Sequence, residues 1–185
     1  MKYGIKSITM DDVAKELSIS KKTLYLYVKD KNDLVQKTIT LHLGIVYGIC
    51  DGIMKEKENA ISQIINVAEM MISLHKDVNP ALIYDLKKYH PDSYAIFKEH
   101  REQMMVKQVI ENLKLGIDQN LFRSDIDLEL TAGFYMGLID QCLNPEIEIL
   151  TKTSFQVKYQ YLIVYHLNAI STEEGKKLIT PYNKN

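Results

Sequence analysis

Residues 8–35 read ITMDDVAKELSISKKTLYLYVKDKNDLV, and they carry the clearest signal for the fold. Thr9 and Asp12, three residues apart, form a capping-box pattern that predicts a short helix over residues 10–17. A second short helix over residues 21–28 follows a serine that suits its N-cap. Because only a tight break separates the two helices, the stretch predicts a helix-turn-helix pair.

Helical spacing of apolar residues continues through most of the chain. With 8 glycines and 4 prolines, the composition disfavours a turn-rich all-β fold. We therefore predict an all-α fold, with a helix-turn-helix domain at residues 1–43 and a larger helical bundle at residues 44–185. The later helices are predicted over residues 31–54, 60–76, 91–115, 127–142 and 147–170, with another opening at Asn79-Pro80 and a turn over 116–125 that holds Asn120 in a left-handed conformation.

The composition excludes several classes of protein. Hydrophobic residues make up 46% of the 185 residues and charged residues 25%, which is typical of a globular protein and not of a disordered one. No apolar run approaches the roughly 18 residues that a membrane helix needs. The first residues lack the apolar stretch of a signal peptide, and two cysteines do not make a disulfide framework. We expect a reduced, cytoplasmic location.

Charge is unevenly distributed along the chain. The net charge is −1, yet residues 1–40 hold eight lysines against five acids, and the remainder holds fifteen basic and nineteen acidic residues. A basic N-terminal segment suits a polyanionic partner. Chance asymmetry in a charged surface explains the same numbers, so the distribution alone leaves both explanations open.

The second short helix has one apolar face and one face suited to DNA. Leu24 and Val28 are four apart and would pack against Val13, Ala14 and Leu17 of the first helix. The residues left for the other faces are Lys21, Lys22, Thr23, Tyr25 and Tyr27. Lysines bind guanine edges or phosphates, a threonine bonds a base edge, and tyrosine hydroxyls donate to phosphates. The alternative is an ordinary helical corner with a solvated lysine face.

The same residues resemble the DNA-binding signature of TetR-family transcriptional regulators. The matching positions are Thr9, Val13-Ala14, Ser18-Ile19-Ser20, Lys22, Thr23-Leu24-Tyr25, Tyr27-Val28 and Lys31. DLKKYHPDSY (85–94) and GIDQNLFRSDID (116–127) are similar to segments of the family's C-terminal domain. Ser18 replaces the usual glycine and Val28 the usual aromatic residue. Residues 1–8 resemble the end of the family's first helix, which is missing or truncated here.

The resemblance implies roles for individual residues and for the whole chain. Phosphate contacts fall on Thr9, Tyr27 and Lys31. Major-groove contacts fall on Lys21, Lys22 and Thr23, with Ser20 and Tyr25 in support. The resemblance also implies a homodimer that binds a near-palindromic double-stranded DNA operator. It further implies a repressor whose affinity for DNA is lowered by a small ligand in the C-terminal domain.

Methionines and aromatic residues of the C-terminal segment suit a pocket for a lipophilic or aromatic ligand. The candidate pocket residues are Met70, Tyr84, Phe97, Met104 and Tyr135. The resemblance implies such a pocket among the middle helices. A plain helical core is the alternative explanation for each of these residues.

The last two predicted helices are the candidate dimer contact. Gly133 and Gly137, four apart, would let another helix approach closely. An apolar stripe at helical spacing on the final helix adds Tyr159, Leu162, Ile163 and His166. Paired across a two-fold axis, the two helices would form an isologous interface. The alternative is that both stripes are buried within one chain.

The sequence names no catalytic centre. None of the five histidines has metal-ligand spacing, and Cys50 and Cys142 suit small buried hydrophobes. No phosphate-binding glycine loop or nucleophile elbow is present. We expect no enzyme activity, metal or cofactor. Beside a regulator, the sequence leaves open a helical small-molecule-binding protein that has lost DNA binding.

Overall fold

The computed structural model describes residues 4–56, 58–75, 82–143 and 146–179. Across these residues every regular element is helical and no β-strand forms, which confirms the all-α prediction. A 3-10 turn occupies Ile5–Ser7 and a π-helical turn occupies Arg101–Met105. The α-helices are α1 Met10–Glu16, α2 Lys21–Tyr27, α3 Lys31–Lys55, α4 Ala60–His75, α5 Leu82–Tyr89, α6 Pro91–His100, α7 Val106–Asp118, α8 Leu128–Leu143, α9 Glu148–Thr151, α10 Phe155–Ile170 and α11 Glu173–Ile179.

The described residues form two compact units. The head unit holds the residues up to Val46 together with Leu82–Arg101, and the bundle unit holds Tyr47–His75 and Glu102–Ile179. The predicted domains follow chain order and would assign α5 and α6 to the C-terminal domain. Packing instead joins both helices to the N-terminal segment, because Leu86 of α5 lies in one apolar cluster with residues of α3.

Side-chain caps fix the starts of the first three helices. The Asp12 backbone N–H donates to the Thr9 hydroxyl (3.2 Å), and the Thr9 backbone N–H donates to the Asp12 carboxylate (2.8 Å). This is the predicted capping box. Ser20 caps α2 and Asp30 caps α3, each with a nitrogen–oxygen distance of 2.9 Å. These bonds confirm the predicted helix starts.

A small apolar cluster holds α1 and α2 together. Its buried members are Met10, Ala14, Leu24 and Val28, with Val13 and Leu34 packed against them. Leu17, which the sequence predicts in this cluster, is instead 58% exposed. The reason is local: α1 ends at Glu16, and Leu17 is already the C-cap residue.

A second cluster ties the start of the chain to α3 and α5. Its buried members are Ile5, Val35, Ile39, Leu43 and Leu86. The buried Asp85 carboxylate accepts the Lys6 backbone N–H at 3.1 Å, and the Lys6 ammonium lies 5.1 Å from the centre of the Tyr89 ring. The N-terminal segment is thus held by a helix that lies far away in sequence.

The bundle unit is built from packed long helices. Helix α10 packs against α4 and α8, α7 packs against α4 and α8, and α11 packs on α10. The largest side chains that are almost fully buried in this unit are Ile61, Leu113, Phe122, Tyr159, Ile163, Leu167 and Ile179. Burying a large apolar side chain contributes roughly 1.5–3 kcal/mol. This core is therefore the main source of stability among the described residues.

The turn after α7 confirms the predicted left-handed residue, with Asn120 at φ 56°. The turn begins later than predicted, since α7 continues to Asp118. Backbone N–H groups of Leu121 and Phe122 donate to the Gly116 carbonyl at 2.9 and 3.0 Å. A Cβ on Gly116 would lie 1.9 Å from the Phe122 ring, so only glycine permits this close packing.

Two predicted helices are interrupted. The helix predicted over 91–115 contains the π-helical turn, which separates α6 from α7. The helix predicted over 147–170 is split into α9 and α10, because Ser154 starts a new helix by accepting the Val157 N–H. After Ser171, residues Glu173–Ile179 form α11. The predicted helix start at Asn79-Pro80 lies outside the described residues.

Candidate nucleic-acid interface

The turn between α1 and α2 is tight and left-handed. Ser18 has φ 55°, and the next N–H, of Ile19, donates to the Ala14 carbonyl at 3.0 Å. A non-glycine residue in this conformation costs roughly 1–2 kcal/mol. The turn sets the direction in which α2 leaves α1 and brings Ser20 to the start of α2.

Helix α2 turns its predicted reading face outward. Leu24 and Val28 are buried, as their spacing predicts. The exposed side chains of this segment are Lys21, Lys22, Tyr25, Leu26 and Tyr27. This surface of α2 is available to a partner because neither α1 nor α3 covers it within the head unit.

The first turn of α2 is held by hydroxyl contacts. The Ser20 hydroxyl accepts the Thr23 backbone N–H at 2.9 Å, and the two side-chain oxygens lie 2.8 Å apart. Thr23 is half-buried. Both hydroxyls therefore have a structural bond already, and Ser20 acts first as a positioning residue for the helix.

The two lysines at the start of α2 differ in their surroundings. The Lys21 ammonium lies 2.9 Å from the Asp11 carboxylate, and this hydrogen bond raises the pKa of Lys21. Lys22 is exposed and forms no ion pair with any other residue that the structure describes. Lys22 is therefore the lysine of α2 that can contact a polyanion without first breaking an ion pair.

Thr9 and Lys31 flank the helix pair and are both engaged. The Thr9 hydroxyl donates to the Asp12 carboxylate at 2.7 Å, and this bond lowers the pKa of Asp12. The half-buried Lys31 donates to the Lys6 carbonyl at 3.3 Å. Both contacts are exposed to solvent.

Lys37 is a residue of the interface region that the sequence analysis missed. Its ammonium donates to the Tyr27 carbonyl at 2.8 Å and pairs with Asp33 at 3.0 Å. The Asp33–Lys37 spacing of four residues was a visible signal for the ion pair. The contact with Tyr27 depends on the packing of α2 against α3, which local sequence does not encode. Lys37 fixes the end of α2 and so the position of the exposed Tyr27 ring.

A second candidate site, a cavity of about 50 Å³, lies inside the bundle unit. Of the predicted pocket residues only Tyr135 lines this cavity. Met71 and Met105 line it in place of their neighbours Met70 and Met104, since one residue along a helix turns a side chain by about 100°. Tyr84 and Phe97 belong to the head unit.

The predicted dimer residues separate into two groups. Tyr159, Leu162, Ile163 and His166 are buried within the bundle unit. Gly133 and Gly137 lie on the exposed face of α8, where a Cβ on either would meet nothing within 4 Å. The apolar stripe on α10 therefore packs inside its own chain, where it forms part of the core of the bundle unit. The exposed apolar side chains beside the two glycines or on the outer face of α10 are Leu130, Phe134, Leu138, Val157, Tyr161 and Tyr165.

Burial controls the ionisation of the buried imidazole and thiols of the bundle. Burial lowers the pKa of His166 to about 4 and raises the pKa of Cys142 to about 11. The neutral His166 ring stacks on Tyr135 with 4.1 Å between ring centres. Across residues 4–56, 58–75, 82–143 and 146–179, no three His, Cys, Asp or Glu side chains are grouped to hold a metal ion. None of the helices formed by these residues has the length and apolarity to cross a membrane.

The sequence of the chain matches a known protein family. The family model described as bacterial regulatory proteins, tetR family, matches residues 1–38. The HTH-type transcriptional regulator YhgD of Bacillus subtilis (strain 168) is 30% identical over 149 residues, which cover 78% of this chain and 68% of YhgD. The HTH-type transcriptional regulator YvaF of the same organism is 28% identical over 175 residues, covering 91% of this chain and 88% of YvaF.

A solved structure shares the fold. The transcriptional regulator FadR from Bacillus subtilis, in complex with stearoyl-CoA, aligns with a TM-score of 0.70 over 90% of this chain and 91% of that chain. Its sequence identity is 18%, so the likeness concerns the fold.

Proposed function

The chain belongs to the tetR family of bacterial regulatory proteins and is a transcriptional regulator, and we propose that it is a ligand-responsive repressor. In this proposal a homodimer binds a near-palindromic double-stranded DNA operator, and a small lipophilic or aromatic molecule in the bundle weakens the binding. Access to an operator implies a cytoplasmic location.

The outward face of α2 is the observation that carries the proposal. Its exposed Lys22 forms no ion pair within the described residues, and the helix is fixed by the Ser20 cap, the Leu24 contact and the Lys37 bond to its last carbonyl. A rigid short helix with an unpaired lysine near its start suits the major groove. We propose that Lys22, with Lys21 and Thr23, contacts base edges.

The flanking residues suit the DNA backbone. Thr9, Tyr27 and Lys31 are proposed to contact phosphates, with Ser20 and Tyr25 supporting the helix. The exposed hydroxyl of Tyr27 is free to donate to a phosphate oxygen from its position at the end of α2. Phosphate contacts of this kind make binding fall steeply with salt.

The exposed apolar face of α8 and α10 supports a homodimer. Phe134 is 73% exposed and Tyr161 is 76% exposed. Large exposed apolar patches mark interaction surfaces. We propose that a second copy covers this face across a two-fold axis, with Gly133 and Gly137 letting the helices approach. The proposed dimer contact therefore uses the opposite face of α10. It does not use the predicted residues Tyr159, Leu162, Ile163 and His166, because those four side chains are buried in the chain itself.

Ligand control rests on the cavity in the bundle unit and on the likeness to FadR. FadR is described with stearoyl-CoA bound, and the chain shares its fold at 18% identity. We propose that a ligand of this protein binds in the bundle cavity and lowers the affinity of the head unit for DNA. Loss of DNA binding on ligand addition would make the protein a repressor that ligand releases.

The test is binding to duplexes selected from a random pool. The selected sequences should contain an inverted repeat, as a homodimer requires. Fluorescence anisotropy should then show Lys22→Ala weakening the selected site by about 1–3 kcal/mol with relaxed base preference, and Tyr27→Phe weakening all duplexes alike.

Lys114→Ala is the matched control, because Lys114 is an exposed lysine of α7 in the bundle unit. The control should bind as the wild type does. If no duplex is enriched at any salt concentration, the repressor proposal fails and a helical ligand-binding protein that has lost DNA binding takes its place. Equal losses in the Lys22 and Lys114 variants would remove the proposed role of α2.

A further inference from the structure

Three polar side chains in the bundle cavity have no partner for one of their polar atoms. Gln108 and Asn112 of α7 and His166 of α10 all line the cavity, and each is more than nine-tenths buried. The Gln108 Nε2, Asn112 Oδ1 and His166 Nε2 atoms form no hydrogen bond with any part of the chain that the structure describes. Buried polar groups are normally satisfied, so such a cluster points to a molecule that meets them.

The three side chains line one cavity, and two of them share a helix face. Gln108 and Asn112 are four residues apart on α7, which makes their side chains neighbours on one helix face. His166 stacks on Tyr135, which also lines the cavity. The Asn112 amide nitrogen already donates to the Ala60 carbonyl (3.0 Å) and to the Gln63 side-chain oxygen (2.9 Å), which fixes its oxygen as the free acceptor.

The cluster therefore offers both donor and acceptor chemistry. The Gln108 amide nitrogen donates and the Asn112 oxygen accepts. Burial holds the pKa of His166 at about 4, so its ring is neutral near pH 7 and its Nε2 can serve in either role. A hydroxyl group, which donates one hydrogen bond and accepts others, matches this set.

The other residues that line the cavity disfavour a charged ligand. The cavity has no Asp, Glu, Lys or Arg among its lining residues, and the Cys50 thiol is neutral because burial raises its pKa to about 11. An ionised group inside such a wall would lose its hydration without gaining a counter-ion. The molecule that enters is therefore uncharged.

The size of the cavity limits the ligand to a small molecule. Its volume of about 50 Å³ is below the roughly 150 Å³ of an engineered cavity that binds benzene. One ring therefore enters only if side chains move. Methionines adapt readily to a new shape. Four of them line the cavity: Met54, Met71, Met105 and Met136.

We propose that the bundle cavity takes a small, uncharged, apolar molecule that carries one hydroxyl group, which Gln108, Asn112 and His166 bind together. Phenol is the simplest probe of this class. The inference rests on the proposed function, since it names the class of ligand that the repressor would sense.

Calorimetry on the full chain without DNA tests the inference separately from operator binding. Phenol should bind at one site per chain, about tenfold more tightly than benzene, which lacks the hydroxyl, while benzoate should not bind. Gln108→Met removes the donor at similar volume and should bring phenol to the affinity of benzene. Gln156→Met, at an exposed position of α10, is the matched control and should bind as the wild type does.

Methyl spectra of the methionines locate the site in the same samples. Phenol should shift the resonances of Met71 and Met136 and leave that of Met10, in the head unit, unchanged. The inference is overturned if phenol does not bind, if benzene or benzoate binds as tightly, or if Gln108→Met leaves the preference for phenol intact. Phenol binding that leaves operator affinity unchanged would support the ligand class and contradict ligand-controlled repression.

Discussion

The head unit and the bundle unit place their functional side chains in opposite ways. In the head, Lys22 and Tyr27 point outward from a helix held by local caps and a small apolar cluster. In the bundle, Gln108 and His166 are buried and line a cavity inside the main core. An exposed contact residue follows from the spacing of its own helix, whereas a buried polar group depends on which other helices surround it.

The largest expected effect concerns the core of the bundle. Leu113→Ala should lower the free energy of unfolding by about 2–5 kcal/mol, because Leu113 is fully buried and its loss leaves a cavity. Leu26→Ala in the head should change it by less than about 0.5 kcal/mol, because Leu26 is 76% exposed. Urea unfolding followed by circular dichroism at one protein concentration measures both. Equal losses of stability in the two variants would contradict the difference in burial between Leu113 and Leu26.

The next effect is a pH dependence to which the buried His166 of the bundle contributes. Burial lowers the pKa of His166 from 6.5 to about 4, so the unfolded chain binds a proton that the folded chain does not as pH falls from 6.5 to 4. Stability from the neutral ring is fully present above pH 6.5 and is lost as pH falls through this window, by on the order of 1–3 kcal/mol.

His166→Phe should flatten the stability profile between pH 6.5 and 4 relative to the wild type. The ring stack on Tyr135 is kept in this variant, which leaves the titration as the main difference. Thermal unfolding across the window measures the change. A wild-type profile as flat as that of the variant would show that His166 titrates normally in the folded chain.

The smallest effect compares one helix cap in each unit. Ser20→Ala should cost about 1 kcal/mol, since the Ser20 oxygen lies 2.9 Å from the Thr23 N–H. Ser154→Ala in the bundle should cost less, because its oxygen–nitrogen distance is 3.4 Å. Chemical unfolding of the two variants gives the difference. A larger loss of stability for Ser154→Ala would contradict this order and make the Ser154 cap the stronger of the two.

The helix-turn-helix was predictable because its signals are local. Thr9, Ser20 and Asp30 each cap a helix from within the same few residues, and Leu24 and Val28 are buried as their four-residue spacing requires. The left-handed Asn120 also follows from its own chemistry.

The contents of the bundle were not predictable in the same way. Amphipathic spacing shows that α10 has an apolar face but not whether that face meets its own chain or a second copy. Burial of Tyr159 and Ile163 resolves this through packing against other helices. Likewise, nothing local distinguishes Gln108 from the exposed Gln156, and only the surrounding helices make one of them a cavity residue.

Cleavage of operator DNA by an iron chelate attached to α2 would show directly whether α2 lies in a groove of the DNA. The native cysteines Cys50 and Cys142 are buried, so Leu26→Cys provides one accessible thiol on α2 and keeps every proposed DNA contact. We expect cuts at two operator positions that are related by the two-fold axis and separated by about one helical turn or a multiple of it. Lys114→Cys, labelled in the same way, should give none. Cleavage that is absent from the α2 label, or that is the same for both labels, would contradict a reading role for α2.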